Sequence, residues 1–72
     1  GDDPDVLAYL REQDGETIFV ALNFSDRNKT AAMGEASWRV LCGTEKKAGQ
    51  DNPADSVALR PYEVIVMEKI RN

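Results

Sequence analysis

Apolar and polar residues alternate along much of the chain with the two-residue period of β-strands. Apolar residues dominate residues 6–11 and residues 17–24, and Asp14-Gly15 lies between these two segments. An Asp-Gly pair between β-type runs favours a type I′ turn, because both central residues of that turn need positive φ. The first two segments are therefore predicted to form a β-hairpin.

The second segment is apolar on both of its faces. On one face lie Ile18, Val20, Leu22 and Phe24. Phe19 and Ala21 make the opposite face largely apolar as well. Because a strand that is apolar on both sides is usually covered on both sides, we expect structure to lie against each face.

Further strands are predicted downstream. They are a weak strand at residues 29–33, a strand at residues 37–42, a short strand at Val57 and Leu59 that ends at Arg60-Pro61, and a last strand at residues 62–70. In the strand predicted at residues 37–42, alternation places Trp38, Val40 and Cys42 on one face. A helix over residues 62–70 is disfavoured, because the segment lacks an N-cap and is rich in β-branched residues.

The pattern as a whole indicates one all-β domain over residues 1–72. About six short strands without a helical period favour a small antiparallel Greek-key sandwich of roughly six to eight strands, or a partly open barrel. Residues 1–5 form an acidic linker or entry segment, in which Asp2, Asp3 and Asp5 are expected to be flexible. Residues 43–55 contain Gly and Pro without periodicity and are predicted to be a long polar loop.

Composition narrows the classes of function. The chain has no His and a single cysteine, Cys42, which cannot pair within the chain and is expected to be a small buried hydrophobe. Because metal sites of the zinc type need several imidazoles or thiolates, we expect no metal and no cofactor. A formal net charge of −4 disfavours nucleic acid and anionic membranes as partners. The acidic balance and the unpaired cysteine favour a soluble cytoplasmic setting.

Three segments together resemble the C-terminal β domain of α-amylase-family glycoside hydrolases, in particular the oligo-1,6-glucosidase, α-glucosidase and trehalose synthase group. They are residues 5–11, residues 15–25 and residues 59–66. The most distinctive elements are Asn-Phe-Ser at residues 23–25 and Pro-Tyr at residues 61–62. The middle of the chain, residues 27–55, has little in common with the family beyond Trp-Arg-Val-Leu at residues 38–41.

In that family a catalytic (β/α)8 barrel precedes the β domain and carries the catalytic carboxylates. The resemblance therefore implies no catalytic residue in this chain and no enzyme activity of its own. It implies a non-catalytic accessory domain that packs on and stabilises the barrel of a glycosidase or transglycosidase in the same polypeptide. The first residue is Gly1, so the chain is expected to carry a cloning remnant or to be cut from a longer protein. The alternatives are a carbohydrate-binding module, with an oligosaccharide as ligand, and a free-standing β module that self-associates or binds a protein through an edge strand.

Two groups of acidic residues are candidates for a chemical site. Glu12, Asp14 and Glu16 surround the hairpin tip, where water keeps a carboxyl group ionised and unsuited to act as a general acid. Asp51, Asn52 and Asp55 offer too few oxygen atoms for Ca²⁺, which takes about 6–8 ligands. Both groups are expected to be solvated surface residues.

Aromatic residues are the remaining candidates for binding. Contacts with a sugar or with a neighbouring domain are assigned to Trp38, Tyr62, Phe19 and Tyr9. Their positions beside Val and Leu in strands make core packing the default interpretation for such side chains. Tyr62 differs from the other three, because it follows Pro61 at a bend where its hydroxyl group can remain in contact with water.

Overall fold

The computed structural model describes residues 3–34, 36–52 and 55–70. These residues form seven strands: β1 (Val6–Gln13), β2 (Glu16–Asn23), β3 (Lys29–Ala32), β4 (Trp38–Gly43), β5 (Asp51–Asn52), β6 (Ser56–Leu59) and β7 (Val64–Lys69). The prediction of an all-β antiparallel sandwich with six to eight short strands is confirmed. The described ranges contain no helix that is long and apolar enough to cross a membrane.

The strands form two antiparallel sheets. The larger sheet has five strands in the order β1-β2-β7-β4-β5, and the smaller sheet pairs β3 with β6. The last strand, β7, therefore returns to the middle of the larger sheet, between β2 and β4. This non-sequential return is a connection of the Greek-key type.

The predicted hairpin at the start of the chain is confirmed. β1 and β2 pair without interruption from Val6↔Asn23 to Gln13↔Glu16. The turn residues Asp14 and Gly15 have φ values of 52° and 79°, which is the positive-φ geometry of a type I′ turn.

The hydrophobic core lies between the two sheets. It consists of Phe19, Ala21, Ala31, Met33, Trp38, Val40, Val57, Leu59, Ile65 and Met67. The rings of Phe19 and Trp38 pack in a tilted arrangement with their centroids 5.9 Å apart. The smaller sheet thus covers one face of the larger sheet and leaves the other face, called here the outer face, free of described residues.

The expectation that Cys42 is buried is wrong, because the Cys42 side chain is exposed. A β-bulge shifts the register of β4 between Val40, which faces the core opposite Met67, and Cys42, which lies opposite Val66. The extra residue turns Cys42 away from the core, since a shift of one residue moves a side chain to the other face of a sheet.

The later part of the chain differs from expectation in two places. The predicted loop at residues 43–55 contains β5, whose Asp51 and Asn52 pair with the start of β4. The last strand begins at Val64 instead of residue 62, because Pro61 and Tyr62 form a turn in which Tyr62 has a φ of 58°.

Candidate functional site

The outer face of the larger sheet is apolar over much of its area. Two neighbouring rows, here called the apolar rows, run across the strands: Leu7, Leu22 and Val64 in one, and Tyr9, Val20, Val66 and Cys42 in the other. Leu7 and Tyr9 on β1 are each 48% exposed. An antiparallel sheet with one face in the core usually presents polar residues on its other face. The apolar rows are therefore the feature of this surface that requires explanation.

A charged row borders the apolar rows on the side of the β1–β2 turn. It consists of Arg11, Ile18, Glu68, Arg39 and Asp51, one residue from each of the five strands. Arg39 Nε donates to Asp51 Oδ1 at 3.1 Å, and both side chains are about half exposed to solvent. An apolar centre beside a charged border is the usual anatomy of a surface that binds another protein domain.

The four aromatic candidates lie in three different environments. Trp38 and Phe19 are each 2% exposed and lie in the core, out of reach of a ligand on the surface. Tyr9 lies on the outer face, and Tyr62 lies in the β6–β7 turn with 64% of its surface exposed. The structure does not assemble the four residues into one binding platform, and a role in binding for each of them stays a prediction.

The acidic residues at the hairpin tip are exposed, as the sequence indicates. A shallow groove of about 440 Å³ on the outer face runs from Tyr9 past Arg11 and Gln13 to Glu16. Asp51 is paired with Arg39, and Asn52 Nδ2 donates to the Ser56 carbonyl at 3.3 Å. Over the part of the chain that the structure describes, no three His, Cys, Asp or Glu side chains lie close enough to hold a metal ion.

A network of hydrogen bonds around Asn23 joins two distant parts of the chain. The side-chain nitrogen of Asn23, Nδ2, donates to the carbonyls of Arg27 at 2.7 Å and of Arg60 at 2.9 Å. The Asn23 Oδ1 atom accepts from Ser25 N at 2.9 Å and from Ser25 Oγ at 2.8 Å. Tyr62 N donates to the Ser25 carbonyl at 3.2 Å. The Asn-Phe-Ser and Pro-Tyr elements, which lie far apart in the sequence, therefore meet at one end of the sandwich.

A buried carboxylate, which the sequence pattern does not reveal, lies close to this network. The Glu63 side chain is 0% exposed and forms an ion pair with Lys46, with 2.6 Å between Oε2 and Nζ. Glu63 Oε1 accepts from Arg60 N at 2.7 Å, and Lys46 Nζ also donates to the Ala58 carbonyl at 2.8 Å. Because every polar atom of this carboxylate has a partner, the pair serves as a structural tie between the β4–β5 loop and the β6–β7 connection.

The entry segment is held in place by a pair of ionic contacts, here called the entry clasp. Lys29 Nζ lies 3.1 Å from Asp3 Oδ2 and 3.2 Å from Asp5 Oδ2. Phe24 N donates to the Asp5 carbonyl at 2.7 Å, which extends the β1–β2 ladder. Asp2 lies outside the described residues, and the flexibility expected of this segment stays a prediction.

The entry clasp is expected to open in acid. The N–H of Asp5 and the ammonium of Lys29 hold the pKa of Asp3 below its usual value of 3.8, and the two carboxylates raise the pKa of Lys29 above 10.5. The stabilisation from Asp3 is therefore present above pH 3.8 and lost as the pH falls through the lower folded-state pKa. The contribution of Lys29 is present below pH 10.5 and lost only as the pH rises through its higher folded-state pKa.

Carboxyl chemical shifts measured by NMR across an acid titration test this expectation. In the Lys29→Ala variant the titration midpoint of Asp3 should rise towards 3.8. Arg39→Ala removes a comparable surface cation on another sheet and should leave that midpoint unchanged. An Asp3 midpoint that is identical in the wild type and in Lys29→Ala would contradict the clasp.

Comparison with known proteins gives two kinds of match. A family model described as "Maltogenic Amylase, C-terminal domain" matches residues 1–66. The solved structure of trehalulose synthase MutB from Pseudomonas mesoacidophila MX-45 matches with 28% sequence identity and a TM-score of 0.74, over 92% of this chain and 12% of the MutB chain. No curated protein sequence gives a significant match.

Two further MutB structures show the same relation. A mutant in complex with the substrate sucrose matches with a TM-score of 0.74, and a mutant from crystals soaked with trehalulose matches with 0.75. Both are 28% identical to this chain, which in each case covers 12% of the solved chain. The chain is thus similar to a small part of a much longer protein.

Proposed function

The chain belongs to the maltogenic amylase C-terminal domain family, and on this basis we propose that it is a non-catalytic accessory domain that packs on and stabilises a catalytic (β/α)8 barrel. The barrel belongs to the same polypeptide, and the whole protein is an α-amylase-family glycosidase or transglycosidase. The small share of the MutB chain that this domain covers supports this proposal, because most of such a protein lies outside the domain.

The apolar rows are the observation that carries the proposal. Monomeric proteins rarely expose large contiguous apolar patches, and such patches usually mark a binding surface. The outside of a (β/α)8 barrel is a ring of helices, which gives the outer face of the sheet a helical surface to pack on. We infer that the apolar rows pack on these helices and that the charged row forms the border of the interface.

The path of the chain supports a partner within the same polypeptide. The chain enters the sheet at residue 6, and Leu7 is already part of the apolar rows. The entry clasp fixes Asp3 and Asp5 against Lys29 just before this point. A preceding domain would therefore lie directly beside the apolar rows. The short connection raises the effective concentration of that domain's surface near the apolar rows.

The positions of the carboxylates support the absence of catalysis in this domain. Glu12, Asp14 and Glu16 are exposed at the hairpin tip. The buried carboxylate of Glu63 is occupied by Lys46 and by the backbone. Glycoside hydrolysis needs two carboxyl groups on either side of one sugar bond, and neither location offers such a cleft.

Cys42 provides a direct test, because its thiol lies within the apolar rows and is exposed in the 72-residue chain. Alkylation of Cys42 by iodoacetamide, followed by mass spectrometry of its peptide, is expected to be fast in this chain. In the whole protein it should be slower by about tenfold or more, because the thiol is reached only when the interface opens. Equal rates in the two proteins would refute the proposed interface.

A matched pair of variants makes the test specific for the apolar rows. Val66→Lys places a charge where a valine should be buried, which costs roughly 1.5–3 kcal/mol of burial energy, and should restore fast alkylation in the whole protein. Thr30→Lys adds the same charge on the smaller sheet, away from the outer face, and should leave Cys42 protected.

A further inference from the structure

We propose that β1 is a pairing edge through which two copies of this domain join their larger sheets into one continuous antiparallel sheet. β1 occupies one end of the larger sheet, and no strand among the described residues pairs with its free side. The edge is eight residues long, whereas β5 at the opposite end has only two. This association is separate from packing on a catalytic barrel, which uses the outer face and not the strand edge.

The edge lacks most of the devices that usually protect edge strands. Natural sheets shield their edges with Pro, Lys, bulges or very short strands. β1 has the sequence VLAYLREQ and pairs with β2 without a register shift, so Pro, Lys and a bulge are absent and the charged residues Arg11 and Glu12 are confined to the end of the strand near the turn. Leu10 is 54% exposed on the core side of β1, where a groove of about 460 Å³ separates Ala8 from β3. Both faces of the edge are therefore partly uncovered and apolar.

The hydrogen-bonding pattern identifies the backbone groups that are available at this edge. Alternate residues of an edge strand direct their N–H and C=O groups towards the neighbouring strand. The Asp5 carbonyl accepts from Phe24 N, so the odd-numbered residues face β2. Val6 N, which points the other way, donates to the Asp3 carbonyl at 3.1 Å. Beyond this contact, the residues that present their backbone groups at the free edge are Ala8, Leu10 and Glu12.

One antiparallel register between two copies uses all three of these residues. Placing Leu10 opposite Leu10 of the second copy puts Ala8 opposite Glu12, so that each pair exchanges backbone hydrogen bonds. On the outer face the same register places Tyr9 opposite Arg11, which allows a cation–π contact on each side of the two-fold axis. Because the edge is complementary to itself, the partner is a second copy of this chain.

The neighbouring registers are less favourable. Centring the pair on Arg11 would place two guanidinium groups directly opposite each other, and like charges in that position are destabilising. Centring it on Tyr9 would place Glu12 opposite Val6, whose N–H is already bonded to Asp3. A shift by an odd number of residues would leave the available backbone groups of one copy facing the wrong residues of the other.

Sedimentation velocity of the 72-residue chain, from micromolar to millimolar concentration, tests the proposal. The wild type is expected to show a concentration-dependent equilibrium between monomer and dimer. Leu10→Pro should be monomeric with an unchanged circular dichroism spectrum, because proline is tolerated on an edge strand where the lost N–H faces away from the sheet. Val66→Lys alters the outer face and should still dimerise.

Two sedimentation results would overturn the proposal: a strict monomer at millimolar concentration, or a dimer that is lost in Val66→Lys and kept in Leu10→Pro. If Leu10→Pro fails to fold, amide hydrogen exchange of the wild type decides the question. Exchange at Ala8, Leu10 and Glu12 should slow as concentration rises, while exchange at Tyr9, whose N–H faces β2, should not respond. No change at these three amides would refute the pairing. The alkylation test on Cys42 reports on a different surface, so either proposal can fail alone.

Discussion

Replacing Lys46 by methionine is expected to destabilise the domain by about 3–5 kcal/mol, the cost of leaving a buried charge without its partner. The Glu63 carboxylate is fully buried, and the Lys46 ammonium at 2.6 Å is the only cation that contacts it among the described residues. Natural domains have stabilities of roughly 0.05–0.15 kcal/mol per residue, so the loss is a large fraction of what a chain of this size possesses. We expect the variant to be largely unfolded at moderate temperature.

Urea denaturation followed by tryptophan fluorescence measures this effect, since Trp38 lies in the core. Lys47→Met removes the adjacent, exposed lysine and should change the stability by less than about 0.5 kcal/mol. A double variant, Lys46→Met with Glu63→Gln, removes both charges and should recover part of the loss. If Lys46→Met costs no more than Lys47→Met, the ion pair is not a structural tie.

Replacing Asn23 by alanine is expected to cost about 2–4 kcal/mol. The change leaves the carbonyls of Arg27 and Arg60 and the N–H of Ser25 without the side-chain partner they have at 2.7–2.9 Å. The buried N–H of Ser25 costs more than the net strength of one hydrogen bond when it loses its partner, because it has already lost its water, and each partly buried carbonyl adds about the net strength of its bond. The expected result is a lower urea midpoint with an unchanged slope.

Two related variants separate the role of the amide from that of side-chain volume. Asn23→Asp keeps the acceptor for Ser25 but places a carboxylate oxygen against two carbonyls, so it should be at least as unstable as the alanine variant. Asn28→Ala changes an exposed asparagine in the same turn region and should have little effect. An Asn23→Asp variant as stable as the wild type would show that the donated hydrogen bonds are unimportant.

Most of the strands could be predicted from the sequence, because the alternation of side chains reflects a local geometric constraint. The Asp14-Gly15 turn and the apolar residues on both faces of β2 could be predicted for the same reason. The sequence alone does not show what the second apolar face of β2 is for. The strand register shows that Val20 and Leu22 of β2 align with Val66 and Val64 of β7. Only the paired strands reveal a continuous apolar surface.

The features that could not be predicted depend on contacts between distant residues. The bulge that exposes Cys42 leaves no trace in the alternation of residues 37–42, because Val40, Leu41 and Cys42 are all apolar and suit either face. The ion pair of Glu63 with Lys46 joins the residue just before β7 to the β4–β5 loop, whose sequence has no periodicity. β5 exists only because residues 51–52 lie beside β4. Local propensity carries no information about such partners.

The resemblance to known glycoside hydrolases was carried by short elements whose importance is now physically clear. Asn23 and Ser25 form the network that binds the carbonyl of Arg60 and the N–H of Tyr62. Phe24 and Tyr62 remain exposed at this end of the sandwich, and their side chains are therefore available for contacts outside the domain. The polar members of these elements hold the fold together, while the function of the aromatic members stays a prediction.

The central position of β7 also determines the order in which this domain can fold. The β1–β2 hairpin closes through a two-residue turn and can form early, on the microsecond timescale of isolated hairpins. The larger sheet is complete only when β7 inserts between β2 and β4, a contact between residues far apart in the sequence. During synthesis on the ribosome, the sheet therefore stays open until residues 64–69 emerge from the exit tunnel. Until then the free edges of β2 and β4 are open to incorrect pairing, so the insertion of β7 has the greatest influence on whether the domain folds or aggregates.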